Sequence, residues 1–273
     1  MSDFGESFAE RLHKAIAGVP PERRADAEEA LRVVHAAGGT SFEGLAAVFR
    51  DRAHDRGTRE RAAWLLSLLQ DARAVPVLME ALADREFDLR ELAAWALGHL
   101  QKKRVAPALI RLFRNPAEDP AVRVAVAHAF AVLGSRRPLR SLVVAMHTDP
   151  HPLVREAAAY GLAFLGDQRV FDPLVRVLTI PGEVPAVRAQ AAEGLAYLGD
   201  ARAVPPLLAA LEDPAPEVRF WAAFALGHVG DAGVLPALDR LAAEDDTEVA
   251  GWWSVRKEAE DAAEHIRRRI ADQ

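Results

Sequence analysis

Residues 200–211 read Asp-Ala-Arg-Ala-Val-Pro-Pro-Leu-Leu-Ala-Ala-Leu, residues 216–219 read Pro-Glu-Val-Arg, and residues 222–230 read Ala-Ala-Phe-Ala-Leu-Gly-His-Val-Gly. The first run has the pattern of a short helix with Pro205 and Pro206 in its opening turn, where a missing N–H costs little. A turn, Asp213-Pro-Ala-Pro216, separates it from a second helix over Glu217 to Val229, and Gly230 follows as a left-handed C-terminal cap. The same order recurs along the chain. The arginine before the second apolar run falls at Arg59, Arg90, Arg123, Arg155, Arg188 and Arg219, in steps of 31–33 residues, and a degenerate seventh copy places Ala250 after Val249. Repetition at this period denotes a solenoid, whose helix pairs each need neighbours to bury a core. No segment alternates with period two, so the expected fold is all-α.

Outward from this array the pattern loosens, as end units do. Phe4–Gly18 and Pro21–Ala37 read as amphipathic helices separated by Pro20-Pro21, and Gly38-Gly39 leads into an irregular first repeat from Ser41 to Gln70. At the other end Trp253 to Arg269 reads as one long charged helix closing the last apolar face. The expected organisation is capping helices over 1–40, a repeat array over 41–250 and a capping helix over 251–273.

Composition narrows the chemistry. Half of the 273 residues are apolar and there is no cysteine, which removes disulfides, thiolate metal sites and cysteine nucleophiles. No apolar run approaches the roughly 20 residues that cross a bilayer, and residues 1–8 lack a basic stretch followed by an apolar one. The expectation is a soluble, cytoplasmic protein that does not engage membrane. Net charge is −6, the wrong sign for a sheath around nucleic-acid phosphates.

Counting each repeated arginine as zero and advancing about 100° per residue, positions +3, +4, +7 and +10 share one side. They hold Ala62, Ala63, Leu66 and Leu69 in the first unit and Ala222, Ala223, Leu226 and Val229 in the sixth, a core stripe. The opposite side should be polar on an ordinary solvated helix. Instead +5 reads Trp64, Trp95, His128, Tyr160, Glu193, Phe224, and +9 reads Leu68, His99, Val132, Phe164, Tyr197, His228. Phe220 and Trp221 take +1 and +2 of the sixth unit and Trp252 takes +2 of the seventh, whereas Trp253, at +3, counts as core. Two readings stand side by side. These rings form a binding surface, or the small residues at +6 and +8 let the helices approach so closely that the rings pack on one another. Self-association satisfies the same chemistry.

The repeat resembles the HEAT family, and specifically the short HEAT-like repeat of phycobilisome lyases, on the runs at 200–211, 216–219 and 222–230 and over roughly residues 41–250. The resemblance implies a right-handed α-solenoid of about six to seven helix pairs whose second helices line the concave side. The aromatic stripe then faces a groove, and Trp64, Trp95, His99, Tyr160, Phe164, Glu193, Tyr197, Phe220, Trp221, Phe224, His228 and Trp252 become candidate partner-binding residues. HEAT-like enzymes define the alternatives. Deoxyhypusine hydroxylases need repeated His-Glu pairs, and this chain has none. His147 and His151 are split by Asp149-Pro150, which breaks the helix that would align them on a metal. A DNA glycosylase needs a basic stripe, but Glu60, Glu91, Glu156 and Glu193 lie here beside Arg61. A bilin lyase or tetrapyrrole chaperone could use the rings for stacking. The repeated arginines and the inter-unit aspartates Asp71, Asp167, Asp200 and Asp231 read as a structural ladder bracing one repeat on the next. The functional expectation is a non-enzymatic scaffold or adaptor binding a protein partner, with no catalytic residue, metal or cofactor.

Overall fold

A computed structural model describes residues 7–272, and among them it shows sixteen α-helices and no strand beyond a lone bridge between Glu248 and Ser254. The expected first helix begins at Phe8, and its residues 4–6 lie outside the described part. The chain divides into two compact units that meet in sequence between Ser135 and Arg136.

The first unit contains α1 (Phe8–Ala17), α2 (Pro21–Ala36), α3 (Phe42–Arg50), α4 (Arg56–Leu68), α5 (Ala74–Ala81), α6 (Phe87–His99), α7 (Ala106–Phe113) and α8 (Pro120–Leu133). Ser7 and Glu10 start α1 with a reciprocal pair of side chain–backbone bonds, and Asp55 caps α4 by accepting from the Thr58 N–H at 3.0 Å. The second helices α2, α4, α6 and α8 pack side by side in one layer, and α3, α5 and α7 each pack on the helix that follows. Their shared core includes Phe49, Leu66, Leu97, Phe113 and Phe130, all essentially inaccessible. The α6–α8 contact depends on Gly98, because a Cβ there would lie 2.6 Å from the Ala129 Cα. Gly98→Ala must push two backbones apart and is expected to cost about 1–3 kcal/mol, measured by thermal unfolding.

The second unit contains α9 (Leu139–Thr148), α10 (Pro152–Leu165), α11 (Phe171–Thr179), α12 (Pro185–Leu198), α13 (Val204–Ala210), α14 (Pro216–Val229), α15 (Leu235–Glu244) and α16 (Val255–Ala271). Here α10, α12, α14 and α16 form the layer of second helices. Counting α3–α4 to α15–α16, the described residues make seven helix pairs. Proline opens α10, α12 and α14, and Gly166 and Gly199 close α10 and α12 in the left-handed conformation. Gly230 departs from that expectation. Its backbone is extended (φ −78°, ψ 165°), and glycine is needed there for space, since a Cβ would meet the Leu226 carbonyl oxygen at 2.6 Å.

The arginine ladder exists, but with other partners than expected. Arg90, Arg155, Arg188 and Arg219 pair with Glu118, Glu183, Asp213 and Asp245, acids from the turn inside the next unit. Arg90, Arg155 and Arg219 also donate to the carbonyls of Asp84, Asp149 and Asp213, closing the first helix of their own unit. The inter-unit aspartates act first of all locally: Asp71, Asp167, Asp200 and Asp231 accept from the backbone two residues on, and the last three start short 3-10 turns, while Asp71 also pairs with Arg11 of α1 at 3.0 Å and Asp167 lies 3.7 Å from Arg136. Arg169 and the backbone N–H beside it hold the Asp167 carboxyl well below the usual carboxylate range.

The C-terminal region corrects a second expectation. Residues 245–254 form a loop rather than the start of a helix, with Gly251 at φ +81° and the Val255 N–H bonded to the Thr247 carbonyl at 2.9 Å. The last helix therefore begins at Val255, capped by Ser254, and packs on both α14 and α15. Trp252 and Trp253 stand on this loop. Trp253, counted as core from a helical register, is 45 % exposed, and its indole N–H donates to Glu258 at 2.9 Å.

Candidate functional site

In the second unit the rings on α10, α12 and α14 gather into two patches. Tyr160 lies 4.6 Å from Phe164 between ring centroids, and Phe164 lies 5.1 Å from Tyr197 on the neighbouring helix. On α14, Trp221 contacts Phe224 at 5.3 Å, and Phe224 contacts His228 at 4.3 Å. The 245–254 loop adds Trp252, 5.2 Å from Trp221 and nearly perpendicular to it. Phe164, Tyr197 and Trp252 are close to half exposed, at 46 %, 47 % and 49 %. His228 is exposed, and Tyr160, Trp221 and Phe224 are half-buried. The rings of each patch touch one another and still present accessible faces.

Two candidates differ in kind from the rest. Phe220 is 1 % exposed and sits with Val249 and Val255 in a core cluster against which Trp221 packs. Its +1 position predicts a groove-facing ring, but the loop folds over it, so it supports the site from beneath. Glu193 is 9 % exposed and accepts hydrogen bonds from Gln190 and from the Tyr197 hydroxyl, the latter at 3.1 Å. Burial pushes the Glu193 carboxyl above its ordinary range despite those two bonds. The Tyr197 hydroxyl is raised as well, by burial and then by the Glu193 charge. The pair anchors an otherwise exposed ring.

A cleft of about 350 Å³ opens beside these rings, lined by Glu156, Tyr160, Glu193, Glu217, Trp221 and Trp252 among others. Burial raises the Glu156 carboxyl. Glu217 lies two residues before the repeat arginine, off the stripe, and the helical count alone gave no reason to single it out. Gln190, at +2, was missed for the same reason that any single polar side chain on a helix is unremarkable.

The first unit holds the remaining candidates. Trp95 and His99 are 4.2 Å apart, and the His99 Nδ1–H donates to the Trp95 carbonyl at 3.0 Å. Trp64 lies under the Arg23 guanidinium of α2, 5.1 Å from it, a partner outside the repeat that periodicity could not reveal. A cleft of about 430 Å³ there is lined by Trp64 and Trp95 together with the acids Asp26, Glu29 and Glu60 and the arginines Arg23 and Arg61, so most of its charge is offset within the lining. No group of three or more His, Asp or Glu side chains suited to a metal ion occurs among the described residues. No described helix is long and apolar enough to cross a membrane.

Comparison with known proteins places these observations. Escherichia coli YibA is similar in structure, with a TM-score of 0.56 at 20 % identity over 98 % of this chain and 93 % of that one. The complex of CpcE and CpcF of phycocyanin lyase from Nostoc gives 0.47 at 21 % identity, over 93 % and 94 %. Human deoxyhypusine hydroxylase in complex with glycerol gives 0.41 at 23 % identity, over 96 % of each chain. Likeness at these identities concerns the fold alone. No match was found among curated proteins. The sequence pattern described as HEAT repeats matches residues 43–119, 115–184 and 180–264, which is most of the sequence, and with the stacked helix pairs this shows that the chain belongs to the HEAT-repeat family.

Proposed function

We propose that this chain is a non-enzymatic interaction scaffold that docks a protein partner on the aromatic face of its second unit. The observation that carries the reading is two patches of touching rings, Tyr160–Phe164–Tyr197 on α10 and α12 and Trp221–Phe224–His228 with Trp252 on α14 and the 245–254 loop, of which Phe164, Tyr197 and Trp252 stay close to half exposed. Solenoid repeats characteristically present such surfaces to partners, and Trp and Tyr are the favoured interface anchors. A cluster of exposed rings is costly to leave in water unless something covers it in use.

The tetrapyrrole reading draws on the same rings with less support. A flat conjugated ligand needs faces aligned to stack on it, whereas the rings here are tilted by 41–44° within the Tyr160–Phe164–Tyr197 run and by about 80° at Trp221–Trp252. Partner side chains of varied orientation fit this relief better. A shift of the visible band of added bilin, retained with the protein through gel filtration, would favour the ligand instead.

Phe164→Ala/Tyr197→Ala is the informative variant, because both rings are exposed and neither fills the core. Its unfolding free energy should fall by about 1–3 kcal/mol, most of it from the Tyr197 hydroxyl lost to Glu193, which leaves the chain folded, while loss of a true anchor pair weakens the complex by about 2 kcal/mol or more, roughly thirtyfold. Affinity capture from source lysate, read by mass spectrometry, should retain a protein on the wild type that the folded variant loses. Identical capture by both would remove this face from the function. Trp221→Ala is the poorer choice, since Trp221 packs on the buried Phe220 cluster and its removal disturbs the fold as well.

A further inference from the structure

Most of the acids that matter to this fold are neutralised. Glu118, Glu183, Asp213 and Asp245 each meet a repeat arginine. The cleft beside Trp221 breaks that rule. It carries three carboxylates, Glu156, Glu193 and Glu217, and no Lys, Arg or His among its described lining residues. Glu193 is bonded to Gln190 and Tyr197, but no described residue hydrogen-bonds or ion-pairs with Glu156 or Glu217. Both are half-buried. In a chain so rich in arginine, a walled cleft with unneutralised acids and aromatic faces is a complementary surface for a cation.

We propose that the cleft lined by Glu156, Tyr160, Glu193, Glu217, Trp221 and Trp252 receives an arginine side chain of the partner protein. This rests on the scaffold reading above and specifies what the partner must present. The choice of arginine follows from the chemistry of the walls. A guanidinium is planar, lies on an aromatic face, and still directs its N–H groups in-plane to carboxylates. It is less strongly hydrated than an ammonium, so entering a cleft of about 350 Å³ costs it less. Several acids around one planar fork also match its several donors better than a point charge. The partly desolvated state of Glu156 and Glu193 agrees with this, since an arriving cation would recover the interaction that burial removed.

The probe is Nα-acetyl-arginine methylamide, compared with its neutral citrulline isostere and the lysine analogue. Each is titrated into the full chain while the indole N–H signals of the tryptophans are followed by NMR, with assignments from Trp221→Phe and Trp252→Phe. The expected result is a saturable shift of the Trp221 and Trp252 signals with arginine at millimolar affinity and none with citrulline. Glu156→Gln/Glu217→Gln should weaken it about tenfold while leaving the fold unchanged, because each substitution keeps size and removes only charge. Trp252→Ala, on the loop and half exposed, should weaken it independently. Absence of a saturable shift, equal binding of citrulline, tighter binding of lysine, or an unaffected double glutamine variant would each overturn the assignment. A captured partner lost by Phe164→Ala/Tyr197→Ala but held by the double glutamine variant would leave the scaffold standing and remove the arginine pocket. If arginine amide instead dissociated a dimer of this chain in sedimentation velocity, the occupant would be a second copy and the partner assignment would fall.

Discussion

Arg155→Ala is expected to destabilise the chain by about 3–5 kcal/mol, one of the largest effects available from a single side chain outside the apolar core. The guanidinium makes a forked contact with Glu183, Nη2 to Oε1 at 2.7 Å and Nε to Oε2 at 3.1 Å, and its Nη1 donates to the Asp149 carbonyl at 2.9 Å. It therefore closes α9 and ties that pair to the turn between α11 and α12. The Glu183 side chain is only 9 % exposed. Burial alone would raise its carboxyl, yet the Arg155 bonds and the Val184 N–H more than offset this and hold it below the usual range. Removing the arginine leaves a buried charge and an open helix end together. The cost is thus mostly that of the acid left behind, and Arg155→Ala/Glu183→Ala should recover a substantial part of it. By contrast Arg50–Glu80, with both side chains well exposed, should contribute no more than about 1 kcal/mol. Urea denaturation of the wild type and, for each pair, its two single variants and its double variant, analysed as two double-mutant cycles, checks both statements. A coupling no larger than that of the exposed pair would show the ladder to be decoration on a core-driven fold.

The ladder also marks where the sequence stops being readable. The arginine positions are plain, since each opens the second helix at a constant phase. Their partners are not, because Glu118, Glu183, Asp213 and Asp245 follow their arginines by 28, 28, 25 and 26 residues. The turns that carry them vary in length, and either acid serves. The inter-unit aspartates are conspicuous for their regularity, and at Asp167, Asp200 and Asp231 that regularity reports a local duty, starting a 3-10 turn, to which contacts with other units, Asp71 with Arg11 and Asp167 with Arg136, are added only at some positions. The aromatic stripe was legible for the same reason as the core stripe: on α10, α12 and α14 a constant phase determines which side chains share a face. Phase fails once the helix does. From Val249 onward the count assumed a helix, and Gly251 with the Val255–Thr247 bond makes a loop. That single departure moves Trp253 from the core to the surface, brings Trp252 to Trp221 by another route, and covers Phe220. Glu156 and Glu217 acquire meaning only when that loop supplies the other wall of their cleft.

The same loop creates a group whose titration should be felt by the whole second unit. Glu258 lies in the first turn of α16, 5 % exposed, with one oxygen accepting from the Trp253 indole. Burial raises its carboxyl to about 7, the indole bond opposing only part of that effect, with Asp261 adding to it and Lys257 working against it. In the unfolded chain the group titrates near its ordinary 4.5. Below that value both states hold the proton and the folded state carries no charge penalty. As pH rises towards 7 the unfolded chain releases its proton first, so stability declines across this window, by about 3 kcal/mol in all, and is level again above it. Glu258→Gln keeps the shape and an oxygen acceptor for the indole without a charge to bury. Its melting temperature should match that of the wild type near pH 4.5 and exceed it at pH 8, by the equivalent of up to about 3 kcal/mol. Thermal unfolding at the two pH values measures this directly, and Trp253→Phe, which removes the donor to the ionised form, should steepen the wild-type decline. A glutamine variant less stable than the wild type at pH 8 would mean that the carboxylate is better solvated than its burial implies, and that the loop opens to water around it.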